Sequence, residues 1–338
     1  MLNLVEAKNN DRMISVLIIG GSRFVGRLVA QQLHQHPNIK LTLFNRGLTN
    51  PEIIEGINYI YGDRECDDIR QVYTQSWDVV IDMMGYYPDT IKDFISKINT
   101  KRYIFISSIS VYDLFNPSKT IIGEQDTLLS ECTVKERTDT TWATYGNRKV
   151  SCETEILKSG MAAIILRPSL IYGPFDPTDR LYYWWYRIKN KVPYLMPKSL
   201  IYPVTFTYAV DMASIIVQSV FIEKHRCIYN TVTHDVMPFY HFMDVAAGIL
   251  KADNKVQIID DALLIDKKLT EDDMPLWFKD ECMVFKNQRL IEDFNLSFTP
   301  LKKSVEDSLS WYDKRDWQQP SAGMRIDTEN IYLKELSK

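Results

Sequence analysis

The first half of the chain alternates short apolar runs with stretches of helical spacing. Residues 13–19 (MISVLII) form a short apolar run that stops at Gly20-Gly21, as expected of a parallel strand buried on both faces. Residues 24–34 place Phe24, Leu28 and Leu33 one helical turn apart, with Val25 and Val29 alongside. Strand-like runs recur at 40–44, 58–61, 78–83 and 102–107. Helical patterns lie between most of them, one running through Ile69 and Val72. The stretch 114–141 is polar and reads as a long loop region. A helix is expected over 142–158, stopped by Gly160, and a further strand over 161–171. Such alternation predicts an α/β fold: a Rossmann-type doubly wound parallel sheet.

Beyond Pro174 the rhythm changes. Residues 181–188 (LYYWWYRI) read as an aromatic helix, prolines interrupt the next stretch, and Asp211 opens a helix through Phe221. The expected division is a dinucleotide-binding domain over 13–175, to which 205–232 returns. A smaller, mixed C-terminal substrate domain takes 176–204 and 233–338. Apolar residues make up 45% of the 338, so the core needs no covalent staple. The net charge of −4 gives no push toward nucleic acid. Five scattered cysteines without a CxxC pair suit reduced thiols in a cytoplasmic protein. The histidines show no metal spacing, and no apolar run reaches the ~18 residues of a membrane span. No metal and no membrane contact are expected.

Two patterns carry chemistry. Residues 20–26 (GGSRFVG) sit between a strand and a helix. There Gly20 allows a tight turn, Gly26 allows close helix–strand packing, and Ser22, Phe24 and Val25 bring the helix N-terminus to a pyrophosphate. Arg23 stands where a middle glycine usually admits the diphosphate. Its side chain either crowds the cofactor or gives a guanidinium to a phosphate, and the second reading is favoured. At the end of the second strand, Asn45 and Arg46 replace the acidic residue that would hold a ribose 2′-OH. NADP is therefore the favoured cofactor and NAD the alternative. Asp63, beside Arg64, either accepts from the adenine amino group or serves the turn. Residues 145–149 (YGNRK) set a phenol and an ammonium four residues apart on one helix face. A nearby cation favours phenolate, so Tyr145 is a candidate proton donor and acceptor near neutral pH.

Together these motifs resemble the extended short-chain dehydrogenase/reductase family, the NAD(P)-dependent epimerase/dehydratase group. The likeness runs from about residue 13 to 230, through GGSRFVG, YGDR, DVVIDMMG, YIFISSISVY, YGNRK, LRPSLIYGP and PVTFTYAVDMA. A bacterial subgroup with a GGTRF-like loop and a GP-DPTDR-like segment looks most similar. The resemblance implies catalysis by Ser108, Tyr145 and Lys149, with Ser107 and Ser110 competing for the serine role. It implies that Met83, Met84, Gly85 and Pro168 lie along the cofactor, and it draws Tyr86, Ser110, Asp176 and Arg180 toward a small, sugar-like substrate. Arg180 binds an anionic group or pairs with Asp176 or Asp179. Val204 stands where many sugar-nucleotide members carry a diphosphate-binding Arg, which argues against a nucleotide-diphosphate sugar. Dehydration is disfavoured because no Asp-Glu pair follows Ser108. The expected function is therefore an NAD(P)-dependent oxidoreductase or epimerase. The alternative is a non-catalytic dinucleotide- or RNA-binding relative, since chloroplast stem-loop RNA-binding proteins share a similar loop. Family members often pair through the helix that carries the Tyr, so a homodimer is open.

Overall fold

The computed structural model describes residues 12–48, 54–115, 120–279 and 281–336. The chain divides into two compact units: Met1–Ser107, Ser130–Leu166 and Ala213–Ile228 in the first, Ser108–Leu129, Arg167–Met212 and Tyr229–Lys338 in the second. These bounds cut the chain before Ser108 and again before Arg167, earlier than the change of rhythm at Pro174.

In the first unit, β1 (Ile14–Ile19), β2 (Ile39–Asn45), β3 (Asn58–Tyr61), β4 (Ser76–Asp82), β5 (Asn99–Ile106) and β6 (Ala163–Arg167) form a parallel sheet. The strand Cys227–Asn230 completes seven strands, in the order Cys227–Asn230, β6, β5, β4, β1, β2, β3. Val16, Leu17 and Ile18 are fully buried, as are Val80 and Ile81 on β4, which explains why these strands read as continuous rather than alternating apolar runs. Helices α1 (Phe24–His34), α2 (Pro88–Lys97) and α3 (Tyr145–Lys158) follow β1, β4 and β5 in the chain, and α2 packs beside α3. One core joins Leu17, Val80, Tyr103 and Ile165 of the sheet to Ile91, Phe94, Cys152 and Ile156 of these helices.

Three expectations are corrected. The segment through Ile69 and Val72 is a 3-10 helix, Asp67–Thr74, too short of apolar positions to extend into an α-helix. The helix expected over 142–158 is a 3-10 turn, Trp142–Thr144, that leads into α3 at Tyr145. The strand expected over 161–171 is broken at Pro168, which has no N–H to give a ladder. Its second half, Leu170–Tyr172, pairs in parallel with Phe206–Tyr208 instead of extending the sheet.

The second unit is built from short strand pairs and helices. Tyr194–Pro197 pairs with Val256–Ile259, and Pro203–Val204 with Met237–Pro238. The aromatic helix is Tyr182–Lys189. Its Tyr182, Tyr183, Trp184 and Trp185 are all buried, so these rings serve the core. Asp211 lies in the helix Ala209–Phe221, but its carboxylate accepts from Thr299 N (2.9 Å) and Thr299 Oγ1 (2.7 Å) instead of capping its own helix.

Candidate active site

The glycine loop is shaped by contacts that only glycine permits. Gly20 and Gly21 have φ of +98° and +83°. A Cβ at Gly26 would lie 2.6 Å from Gly21 Cα, so the loop and α1 touch backbone to backbone. Phe24 takes φ +45° without being glycine, a strained conformation of the kind that clusters at ligand loops. Arg23 is exposed at the N-cap of α1 and Ser22 is half-buried, while Val25 turns into the core. The exposure of Arg23 leaves its guanidinium on the solvent side of the loop. No acidic residue sits in the first turn of α1, so the positive end of the helix is not offset there.

At the end of β2, Asn45 is 9% exposed. Its Oδ1 accepts from Gly47 N (2.9 Å), while its Nδ2 is buried with no hydrogen-bond partner among the described residues. A buried donor left open is costly and calls for an acceptor such as a ribose or phosphate oxygen. Arg46 is exposed and lies 3.9 Å from the Asp63 carboxylate, a loose surface pair. Asp63 Oδ1 accepts from Glu65 N, so this side chain does serve its turn. Arg64 is turned inward. Its side chain is 7% exposed and NH1 donates to both oxygens of Asp82 (2.7 and 2.9 Å), which holds the guanidinium charged against the cost of burial. Arg64 is thus held in a buried ion pair beside the strand end. Asp82 also accepts from Tyr103 OH and from Met84 N, and so fixes the turn that carries Met83, Met84 and Gly85. Met84 and Tyr86 remain exposed at the strand end.

Gly85 connects this turn to α3. Lys149 is 2% exposed, and its Nζ donates to Gly85 O (2.9 Å) and Ile106 O (2.7 Å), while lying 4.2 Å from the Phe105 ring centre. Both partners are neutral carbonyls. Burial lowers the ammonium's pKa to about 8; Cys152, Asp82 and Glu153 oppose that shift through space. Tyr145 opens α3 one turn earlier, half-buried, its ring 6.4 Å from Tyr86 and 5.2 Å edge-on from Trp142. The first unit therefore presents Tyr145 and Lys149 on one helix face at the carboxyl end of the sheet, where ligands bind in open α/β folds. Ser107 is not a free hydroxyl: it is 4% exposed and donates to Glu153 Oε1.

The other expected residues fall in the second unit. Ser108 Oγ accepts from Ser110 N and donates to Ser110 Oγ (both 3.1 Å), so Ser108 caps the short turn Ile109–Val111. Pro168 is buried and its carbonyl accepts from Ile109 N. Asp176 is buried, and its Oδ1 accepts from Thr178 N and Thr178 Oγ1; burial raises its pKa despite these bonds. Arg180 Nε donates to Thr178 Oγ1, and Asp179 is held by Ser321. Arg187 is committed to Glu329. A cavity of about 340 Å³ in this unit includes Val204, Ser199, Lys279 and Glu281; burial lifts the Glu281 carboxyl to about 7. Glu281 carried no recognisable sequence signal.

Among the described residues no helix is long and apolar enough to cross a membrane, and no group of three or more His, Cys, Asp or Glu could hold a metal ion.

Residues 16–230 match the model of the NAD dependent epimerase/dehydratase family. The chain belongs to that family. It is 24% identical over 236 residues to the chloroplast stem-loop binding protein of 41 kDa b of Arabidopsis thaliana, covering 64% of this chain and 57% of that protein. It is 26% identical over 196 residues to a decarboxylating sterol-4-alpha-carboxylate 3-dehydrogenase of Candida albicans, covering 49% of this chain and 53% of that one. The chain thus spans a little over half the length of these relatives. Its fold is similar to the crystal structure of UDP-glucuronic acid 4-epimerase from Bacillus cereus in complex with NAD, with a TM-score of 0.68 at 14% identity over 89% of this chain and 97% of that one.

Proposed function

We propose that this family member is an NADP(H)-using oxidoreductase or epimerase acting on a hydroxyl or carbonyl of a small, sugar-like substrate. The observation that carries the reading is the ammonium of Lys149, buried one helical turn from Tyr145 and held by two carbonyls. Among the described residues no carboxylate touches this cation, so its field reaches nearby groups, and a phenol one turn away is such a group. Tyr145 would give a proton to a substrate carbonyl oxygen or take one from a hydroxyl. Lys149 would hold the phenolate form in reach at neutral pH, and Ser108 keeps the role of steadying the substrate oxygen that the family resemblance implies. A bound nicotinamide supplies the hydride. Gly20, Gly21 and Gly26 give the tight turn and the close helix packing that would bring the N-terminus of α1 to its diphosphate. Asn45 Nδ2 offers an unused donor, and Arg46 has a guanidinium free enough to meet a 2′-phosphate.

The test is Tyr145→Phe. NADPH-dependent reduction across a panel of keto-sugars should fall by roughly a thousandfold, the middle of the range for general acid–base catalysis. NADPH affinity, followed by its fluorescence, should stay the same. An active Tyr145→Phe enzyme removes the assignment. The likeness to a stem-loop binding protein favours a second reading, in which the fold only binds. A wild-type protein that takes up neither NADPH nor NADH would install that reading.

A further inference from the structure

Trp142 is the most exposed aromatic side chain among the described residues, at 83%. Single exposed apolar side chains are ordinary; the bracing of this one is not. It sits in the 3-10 turn Trp142–Thr144, and the turn is held from both sides. Asp139 Oδ1 accepts from Thr141 N (2.9 Å), and its Oδ2 accepts from Thr141 Oγ1 and Thr144 Oγ1 (both 2.7 Å). These bonds draw the Asp139 carboxyl down to about 2. On the inner side, Arg148 is 3% exposed. It gives NH2 to Thr141 O (2.8 Å), Nε to Thr144 Oγ1 (3.2 Å) and NH1 to Tyr86 O (3.4 Å). A buried cation and a carboxylate thus fix a turn whose middle holds an indole out into water. The same Arg148 ties that turn to Tyr86, and both rings stand against Tyr145.

Rigid presentation of an uncovered ring beside a reacting group is the arrangement of a binding residue, because the ordering entropy is settled before the ligand arrives. We propose that Trp142 contacts substrate. The indole would receive the C–H face of a saturated ring whose hydroxyl or carbonyl meets Tyr145. The uncovered surface is one indole and the edge of Tyr86, which suits a single pyranose ring better than a fused-ring alcohol. The inference rests on Tyr145 being the acid/base, but its readout does not.

The full chain labelled with 5-fluorotryptophan gives one fluorine signal for each of its seven tryptophans, and Trp142→Phe identifies the relevant one. With NADPH present, methyl gluco-, galacto- and mannopyranosides are titrated in turn. At least one should move the Trp142 signal saturably. It should do so equally in Tyr145→Phe, because stacking does not need the phenolic proton; loss of the Tyr145 assignment would therefore leave the shift in place. Trp142→Ala should weaken that probe about tenfold, and Trp142→Tyr should restore most of the affinity, with NADPH binding unchanged in both. A Trp142 signal that no pyranoside moves overturns the proposal. So does one moved only by a steroid alcohol. So does one that follows protein concentration while Trp142→Ala changes the molar mass by light scattering, since the indole would then be covered by a second copy of the chain.

Discussion

Two buried cations in this protein are treated in opposite ways. In the second unit, Arg187 is 1% exposed. It gives Nε to Glu329 Oε2, NH1 to Tyr183 O (3.0 Å) and NH2 to Met324 O (2.7 Å), and stacks 3.4 Å over the Tyr183 ring. Glu329 in turn accepts Leu195 N with its other oxygen (2.9 Å). Charge, donors and planar face are all matched, so this pair ties the helix Ile326–Leu336 to the strand Tyr194–Pro197. In the first unit, Lys149 is as deeply buried, but its hydrogen bonds go to two carbonyls and its nearest ring is Phe105, with no carboxylate in contact among the described residues. Its charge is tolerated rather than neutralised, and its pKa falls to about 8. The matched cation fixes structure; the unmatched one stays close to titration, as an acid/base site requires.

The largest effect expected from this contrast is at Glu329. Glu329→Ala leaves Arg187 buried without its carboxylate and should cost about 3–5 kcal/mol of stability, read by urea unfolding. Arg187→Met with Glu329→Leu, which removes both charges, should recover much of that loss. A Glu329→Ala protein within ~1 kcal/mol of wild type would show that the pair is not the fastening that its geometry describes.

At Lys149 the sign is reversed. The folded pKa of about 8 lies below the ordinary 10.5, so between those values the unfolded chain binds more protons than the folded one. Stability from this residue is therefore lost as pH falls through 8 and regained as pH rises toward 10.5. Lys149→Met removes the charge and the cost of burying it. Relative to wild type, the variant should be more favourable at pH 7 than at pH 10 by up to about 3 kcal/mol, the free-energy equivalent of the shift. Comparing the two proteins at each pH cancels the ionisation of the many buried tyrosines. A difference that does not change with pH would mean that the carbonyl pair satisfies the ammonium fully, and the contrast with Arg187 would disappear.

How far this was legible in the sequence depends on whether the signal is local. Strands such as Ile14–Ile19 follow from short, mostly apolar runs, and Tyr145 and Lys149 follow from a four-residue spacing. The break at Pro168 was readable in principle from its missing N–H, but the apolar residues on both sides concealed it. The partners of Lys149 lie 64 and 43 residues away and belong to main-chain carbonyls, which no side-chain pattern announces. Asp211 is equally non-local: its donors, the N–H and hydroxyl of Thr299, lie 88 residues away. The apolar spacing alone places Trp142 in the helix expected over 142–158. The signal that could have placed it in a braced turn was local: Asp139, Thr141 and Thr144 are spaced as a side-chain-to-backbone turn, and Arg148 is spaced to reach back across one helical turn.

The smallest effect sharpens the comparison at a third cation, Arg46, which is neither buried nor matched. Its guanidinium is 59% exposed and 3.9 Å from Asp63, a pair worth little in water. That weak partner is what makes it available: a ribose 2′-phosphate would offer a doubly charged acceptor in place of a loosely held carboxylate. Arg46→Ala should therefore weaken NADPH binding about tenfold, equivalent to ~1.4 kcal/mol, while NADH binding changes little. Because the contact would be ionic and exposed, the NADPH preference should also shrink as salt is raised. Equal losses for both dinucleotides would assign Arg46 to the loop rather than to the phosphate. Asn45, whose buried Nδ2 has no partner among the described residues, would then be the contact left at this strand end, and it would favour neither cofactor by charge.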